Sequence, residues 1–235
     1  MKFVAVITAF MSVIGFSSCI SGGETEYDFM DYLTVTQDYM GRTCLVGDYT
    51  GLTLYPANSS ILSALQLSDG SYYKRAYAGA KLAEEYTETK KNYTISNLYV
   101  ASAIPYMDFN MYKDTLVGDY GLSGLNKIWA KTGYVNVDFN VNVEANNTST
   151  FYNDLHMYVT RASNDTLYTK LRYVKSTDMG QTYTILVSFG LPKQSWEYNS
   201  LTPKNDSIVI NVEAENVSGQ VNQMTTRYRY EELFN

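Results

Sequence analysis

Residues 135–143 alternate without a break: Val135, Val137, Phe139, Val141 and Val143 are apolar, and Asn136, Asp138, Asn140 and Asn142 between them are polar. Successive side chains of a strand point to opposite faces, so this stretch predicts a half-buried antiparallel strand with one apolar and one wet face. The period of two returns at Leu167, Thr169, Leu171 and Tyr173, at Tyr183, Ile185, Val187 and Phe189, at Ile208, Ile210 and Val212, and at Tyr228 and Tyr230; residues 152–161 carry it more weakly. Six such strands, separated by turn clusters and with no helical period between them, predict an antiparallel β-sandwich.

The first half of the chain reads differently. Residues 32–37, 42–46, 52–55, 72–78 and 93–103 are rich in β-branched and aromatic side chains and predict five strands. Gly47 to Gly51 supplies a tight reversal between the second and third, and Pro56, which cannot donate to a continuing ladder, ends the hairpin. Ile61, Leu62 and Leu65 at helical spacing behind a serine predict one short helix over 59–67, between the third and fourth strands. Residues 81–91 are dominated by charge and read as a solvated face. Residues 105–124 keep no period and carry Gly118, Gly121 and Gly124, which predicts a linker. Two all-β units follow: 32–104 and 125–235.

Ahead of both, Lys2 precedes an apolar run over 3–16, and Ser17-Ser18 sits directly before Cys19. This is the layout of a secretory signal. The run is shorter than the roughly 20 apolar residues of a membrane span and is interrupted by Thr8, Ser12 and Gly15. Residues 1–18 therefore read as a removed leader. Cys19 resembles the acceptor of a bacterial lipobox, which implies acylation there and makes the lipid bilayer the first partner. Residues 19–31, small and acidic, read as a tether.

With 45% hydrophobic and 18% charged residues, the chain lies inside the globular range. Its net charge of -6 includes Lys2, so the mature chain is more acidic still; that sign repels phosphate backbones, and nucleic acid is not an expected partner. Of the two cysteines, Cys44 is left without a partner once Cys19 carries lipid, and reads as a buried thiol on a strand. One histidine and one available cysteine argue against a dedicated zinc site, and no cofactor is expected.

Catalytic arrangements are weak throughout. Gly121-Leu122-Ser123-Gly124 lacks the spacing of a serine elbow. Glu213 and Glu215 share one face of a strand, whereas glycosidases set their two carboxylates across a substrate. His156 lies near Asp154 with no nucleophile recognisable beside it. No calcium loop, phosphate loop or dinucleotide fingerprint is present. The 23 tyrosines are the outstanding feature: they fill half-buried strand positions, and an exposed group of them would grip a sugar ring or a protein partner.

Phe16-Ser17-Ser18-Cys19, the run from Gly47 to Asn58, the segment from Trp129 to Val137 and Val187-Ser188-Phe189-Gly190-Leu191-Pro192, all in order, resemble the NigD-like lipoproteins of Bacteroidetes. The resemblance implies an OB-type barrel followed by a β-sandwich, in agreement with the strand counts above, and outer-membrane anchoring on the periplasmic face or at the cell surface. It brings no catalytic residues; Cys19 alone transfers as a functional position. Asp114-Thr115-Leu116, Asp165-Thr166-Leu167 and Asp206-Ser207-Ile208 look like O-glycosylation acceptors of exported proteins of that phylum, making Thr115, Thr166 and Ser207 candidate glycan sites, although Asn164-Asp165 and Asn205-Asp206 equally suit turns before strands. The functional expectation is a non-enzymatic binding or assembly lipoprotein of the cell envelope, with envelope proteins or glycans as partners; the alternative is an enzyme acting on envelope glycans.

Overall fold

The computed structural model describes residues 27–109, 119–120, 122–143, 151–175, 180–193, 195–216 and 218–234. The expected leader, Cys19 and Thr115 lie outside the described residues.

Phe29–Gln37 (β1), Thr43–Gly47 (β2), Thr53–Pro56 (β3), Arg75–Leu82 (β4) and Asn92–Ala103 (β5) close into a barrel in the order β1-β2-β3-β5-β4, with β4 returning to β1. Only β3 and β5 pair in parallel. This is a five-stranded Greek-key barrel of the OB type. Five strands enclose little room, and β4 meets that limit by turning three alanines inward, Ala76, Ala78 and Ala80, ahead of Leu82, against Leu33, Leu45, Leu54, Tyr93 and Ile95.

The helix predicted over 59–67 is a 3₁₀ helix, Ser59–Leu65, and its cap is Asn58, whose Oδ1 accepts from the Ser60 amide at 3.1 Å. A 3₁₀ turn superimposes residues three apart, so Leu62 and Leu65 point together into the barrel core while Ile61 sits at its margin. The charged stretch ahead of β5 is exposed, as expected; the buried ring of Tyr93 ties it down by donating from its hydroxyl to the Thr87 carbonyl at 2.6 Å.

Among the described residues, nine strands form the second half: Tyr106–Asp108 (β6), Asp119–Tyr120 (β7), Leu122–Lys131 (β8), Tyr134–Val143 (β9), Leu155–Ser163 (β10), Thr166–Lys175 (β11), Gln181–Gly190 (β12), Ser207–Glu215 (β13) and Val221–Arg229 (β14). One sheet runs β6-β12-β9-β8 and the other β10-β11-β13-β14, with β7 paired to β11. Between them lies one core, in which the apolar face of β9, from Val135 to Val143, meets Leu167, Leu171, Ile208, Ile210 and Val212. The chain is all-β, with a barrel followed by a sandwich.

Two features depart from the sequence reading. Residues 106–108, 119–120 and 122–124 fall in the stretch predicted as linker yet are strands of the sandwich. Their alternation is hidden because β6 and β7 span only three and two residues, and β8 carries register shifts between Leu122 and Gly124 and between Leu125 and Lys127. In addition, β13 pairs in parallel with β11, and β12 with β6. The chain leaves the β11 sheet to make β12 in the other sheet and then returns beside β11, a crossover that forces the parallel direction.

Candidate functional site

Only Ile104 and Pro105 separate β5 from β6, so the barrel is fused directly to the sandwich. The outer face of β1 and β4 meets the polar face of β8, β9 and β12 there. Register pairs Tyr32 with Tyr77 and Thr34 with Arg75 on the barrel side, and Asn136 with both Trp129 and Ser188 on the sandwich side.

Arg75 fills the joint and is 0% exposed. Its guanidinium carries five N–H donors, and five contacts receive them. Nη1 and Nη2 form a bidentate pair with Asp48 at 2.9 and 2.6 Å; Nη1 also donates to Thr34 Oγ1, Nη2 to Asn136 Oδ1 at 2.8 Å, and Nε to Ser188 Oγ at 3.3 Å. Asp48, equally buried, accepts in addition from Trp129 Nε1 at 2.9 Å and Thr132 Oγ1 at 3.0 Å. Thr132 and Gly133 form the two-residue turn between β8 and β9 with φ of 52° and 82°. A β-branched residue resists that left-handed backbone, and the hydrogen bond to Asp48 holds it there.

A second buried carboxylate shapes the rim. Asp31 points inward at one end of the barrel and accepts from the backbone amides of Tyr49 and Thr50 at 3.1 and 2.9 Å and from Thr50 Oγ1 at 2.7 Å. The turn after β2 is thereby fixed, with Tyr49 at its tip, 51% exposed.

The result is an aromatic corner. Tyr32 lies 4.9 Å from Tyr77 and from Trp129, centroid to centroid, and 5.8 Å from Tyr49; Tyr49 and Trp129 are 6.2 Å apart and within 26° of parallel. Lys127 sits at the outer rim, its Nζ 3.0 Å from Tyr49 Oη and 5.4 and 5.1 Å from the Tyr49 and Trp129 ring centroids. Burial, then the neighbouring Tyr49, Tyr77 and Asp138, push the Tyr32 phenol up to about 12, against the opposing charge of Arg75. The folded chain therefore keeps a proton there that the unfolded chain releases near its ordinary pKa, so stability falls as pH rises from about 10 to about 12. Denaturant unfolding at about pH 9 and about pH 11.5 checks this: Tyr32→Phe should lose less stability over that interval than the parent. An equal loss in both chains would refute it.

The residues singled out from sequence fall elsewhere. Glu213 and Glu215 share a face of β13 as expected, but both face Lys170 of β11, at 3.9 and 3.3 Å, and do not stand across a cleft. His156 is half-buried on β10; burial lowers its pKa and Asp154 partly offsets the shift. Cys44 is a buried free thiol on β2, its pKa raised first by burial. Ser123 is exposed on β8 and donates to Asn142 Oδ1 at 3.2 Å. Thr166 opens β11 and donates to Asp165 Oδ1 at 3.0 Å, and Ser207 opens β13; the turns before them hold Asn164, Asn205 and Asp206 at positive φ. An open depression of about 330 Å³ on the barrel is lined by Val35, Thr36, Gln37, Thr43, Tyr72 and Lys74, with no carboxylate.

Sequence reasoning did not find Arg75, Asp48, Asn136 or Trp129 as a group. Asn136 was expected on a wet face and is buried because the barrel covers that end of the sheet. The one available signal was Arg75 itself, a charge opening the otherwise apolar run Arg-Ala-Tyr-Ala-Gly-Ala.

No protein-family model and no curated protein matches the sequence. Solved structures do match. A protein from Parabacteroides distasonis, provisionally described as toxin-related, is 16% identical with a TM-score of 0.55, over 87% of this chain and 94% of its own. One from Bacteroides fragilis, provisionally named a lipoprotein, is 11% identical with a TM-score of 0.52, over 86% and 97%. A NigD-like immunity protein from Bacteroides caccae, of the kind that the sequence resembles, is also among the matches, at 14% identity and a TM-score of 0.42 over 88% and 99%. The chain, a five-stranded barrel fused to a β-sandwich, shares its fold with the Parabacteroides distasonis and Bacteroides fragilis proteins.

Proposed function

We propose that the protein is a NigD-like lipoprotein, anchored to the outer membrane through an acylated Cys19, which binds an envelope component at the aromatic corner and catalyses no reaction. The corner carries the reading: Tyr32, Tyr49, Tyr77 and Trp129 gather at a rigid joint, with Tyr49 half exposed at the tip of a turn that Asp31 holds in place. Aromatic side chains bring large contact area at small entropy cost, and a rim that is already ordered avoids much of the cost of ordering it on binding. The provisional lipoprotein name of the Bacteroides fragilis structure supports the anchored reading. Glu213 and Glu215, both facing Lys170, do not supply the opposed acids of a glycan hydrolase.

Fractionation of the native host tests both halves together. The parent and Tyr49→Ala should sediment with membranes and Cys19→Ser should not, while chemical cross-linking should join the parent, and not Tyr49→Ala, to an envelope component. Membrane-bound Cys19→Ser ends the anchor, and equal cross-linking of parent and Tyr49→Ala ends the corner.

A further inference from the structure

We infer that the ligand of the corner is a neutral glycan, lying along the polar face of β8, β9 and β12 with one sugar ring against Tyr49 and Trp129. This rests on the corner being the contact surface. Beyond the joint, the face that presents Asn136 continues along β9 as Asp138, Asn140 and Asn142, which are partly exposed. Alternate residues on a strand recur every ~6.6 Å, so these three set polar groups at regular intervals leading away from the aromatic rings.

Their neighbours hold them in place. Asn126 Nδ2 donates to Asp138 Oδ1 at 3.0 Å and to Asn140 Oδ1 at 3.1 Å, Asn140 Nδ2 donates back to Asn126 Oδ1 at 3.1 Å, and Thr184 Oγ1 donates to Asn140 Oδ1 at 2.8 Å. Asn142 Oδ1 accepts from Thr182 at 2.7 Å and Ser123 at 3.2 Å. Each amide nitrogen carries two donors and each carboxylate and hydroxyl oxygen more than one lone pair, so the ladder is ordered yet keeps donors and acceptors for a ligand. Fixed amides and hydroxyls beside an aromatic wall match the chemistry of sugars, whose hydroxyls both donate and accept and whose ring faces are apolar.

Charge selects a neutral chain. Lys127 and Asp138 are cross-strand partners, so the exposed surface at the junction of wall and ladder carries one cation and one anion. That pair is neutral as a whole, and the chain is acidic, at -6, which disfavours an acidic polysaccharide or a phosphate backbone.

The test uses residues 20–235, which retain every described residue, and titrates neutral oligosaccharides of two and of six units against Trp fluorescence and calorimetry, with polygalacturonate and oligo(dT) as charged comparisons. The six-unit neutral chains should bind, Tyr49→Ala should weaken both lengths about tenfold, and Asn140→Ala should weaken the six-unit chains several-fold while sparing the two-unit ones. Tyr49 is a surface position, so its variant should fold; an unchanged melting temperature verifies that. Preference for either charged polymer overturns the proposal, as does neutral binding that Tyr49→Ala leaves unchanged. Failure of every neutral chain to bind, with envelope cross-linking still lost in Tyr49→Ala, overturns the glycan assignment alone and leaves the corner as the contact surface.

Discussion

Replacing Asp48 by alanine is expected to cost about 3–5 kcal/mol of stability, because it strands a guanidinium that has no exposure to water. For a chain of this length that corresponds to a fall in Tm of roughly 6–20 °C. The loss should exceed that of any exposed ion pair in the molecule, such as Asp28 with Lys81, since exposed pairs contribute ~0–1 kcal/mol. Arg75→Met leaves Asp48 with three of its donors, Trp129 Nε1, Thr132 Oγ1 and Asn136 Nδ2, and should cost less than Asp48→Ala. Combining Asp48→Leu with Arg75→Met removes both charges and should recover part of the loss, the non-additivity expected of a buried pair. Calorimetry of the four chains decides it, and a loss below about 1 kcal/mol for Asp48→Ala would mean that the joint is held by other contacts. Limited proteolysis adds a structural reading: chymotryptic cleavage after Tyr106, two residues past Ile104, whose amide donates to the Arg75 carbonyl at 3.0 Å, should become faster once Asp48 is gone.

Asp31→Ala is the second large effect, about 3 kcal/mol. Hydrogen bonds to a charged acceptor contribute ~1.5–3 kcal/mol each, and Asp31 receives those of Tyr49, Thr50 and the Thr50 hydroxyl in a site closed to solvent. Relief of carboxylate burial offsets part of their sum. Gly47→Ala should reproduce the effect from the other side, at about 1–3 kcal/mol. A Cβ there would stand 2.3 Å from Thr50 Oγ1 and 2.4 Å from Asp31 Oδ2, and would push the carboxylate out of its bonds. Urea unfolding reads both, with the midpoint falling at constant slope. If Asp31→Ala moves the midpoint by less than the equivalent of about 1 kcal/mol, the turn is not held by this carboxylate. Both variants should also release Tyr49 and so weaken whatever the corner binds.

Local chemistry made much of the architecture legible. The hairpin of β2 and β3 followed from Gly47, Gly51 and Pro56, and it appears with Leu45 opposite Leu54. The alternation from Val135 to Val143 predicted one buried face, and all five apolar residues are at most 1% exposed. Alternation is readable because a strand's period is set by its own backbone. Where β8 shifts register twice, and where β6 and β7 last only three and two residues, no period remains to be read, and β6, β7 and the first three residues of β8 were taken for a linker.

The candidate site was not legible, and the reason is distance along the chain. Arg75 finds Asp48 across 27 residues, Asn136 across 61 and Ser188 across 113. None of these partners is marked by its own neighbours: Asp48 reads as a turn residue, Asn136 as one more residue on a wet face, and Trp129 as an isolated aromatic. By itself the sequence determined the all-β class, the hairpin, the apolar faces and the buried Cys44, each the product of side-chain period and turn chemistry within a few residues. Only the tertiary structure decided that the barrel lies against one end of the β8-β9-β12 face. That contact takes Asn136 and Ser188 out of water, leaves Asn140 and Asn142 in it, and gathers four aromatic rings at the boundary, since burial is fixed by what packs on a face and not by the face itself.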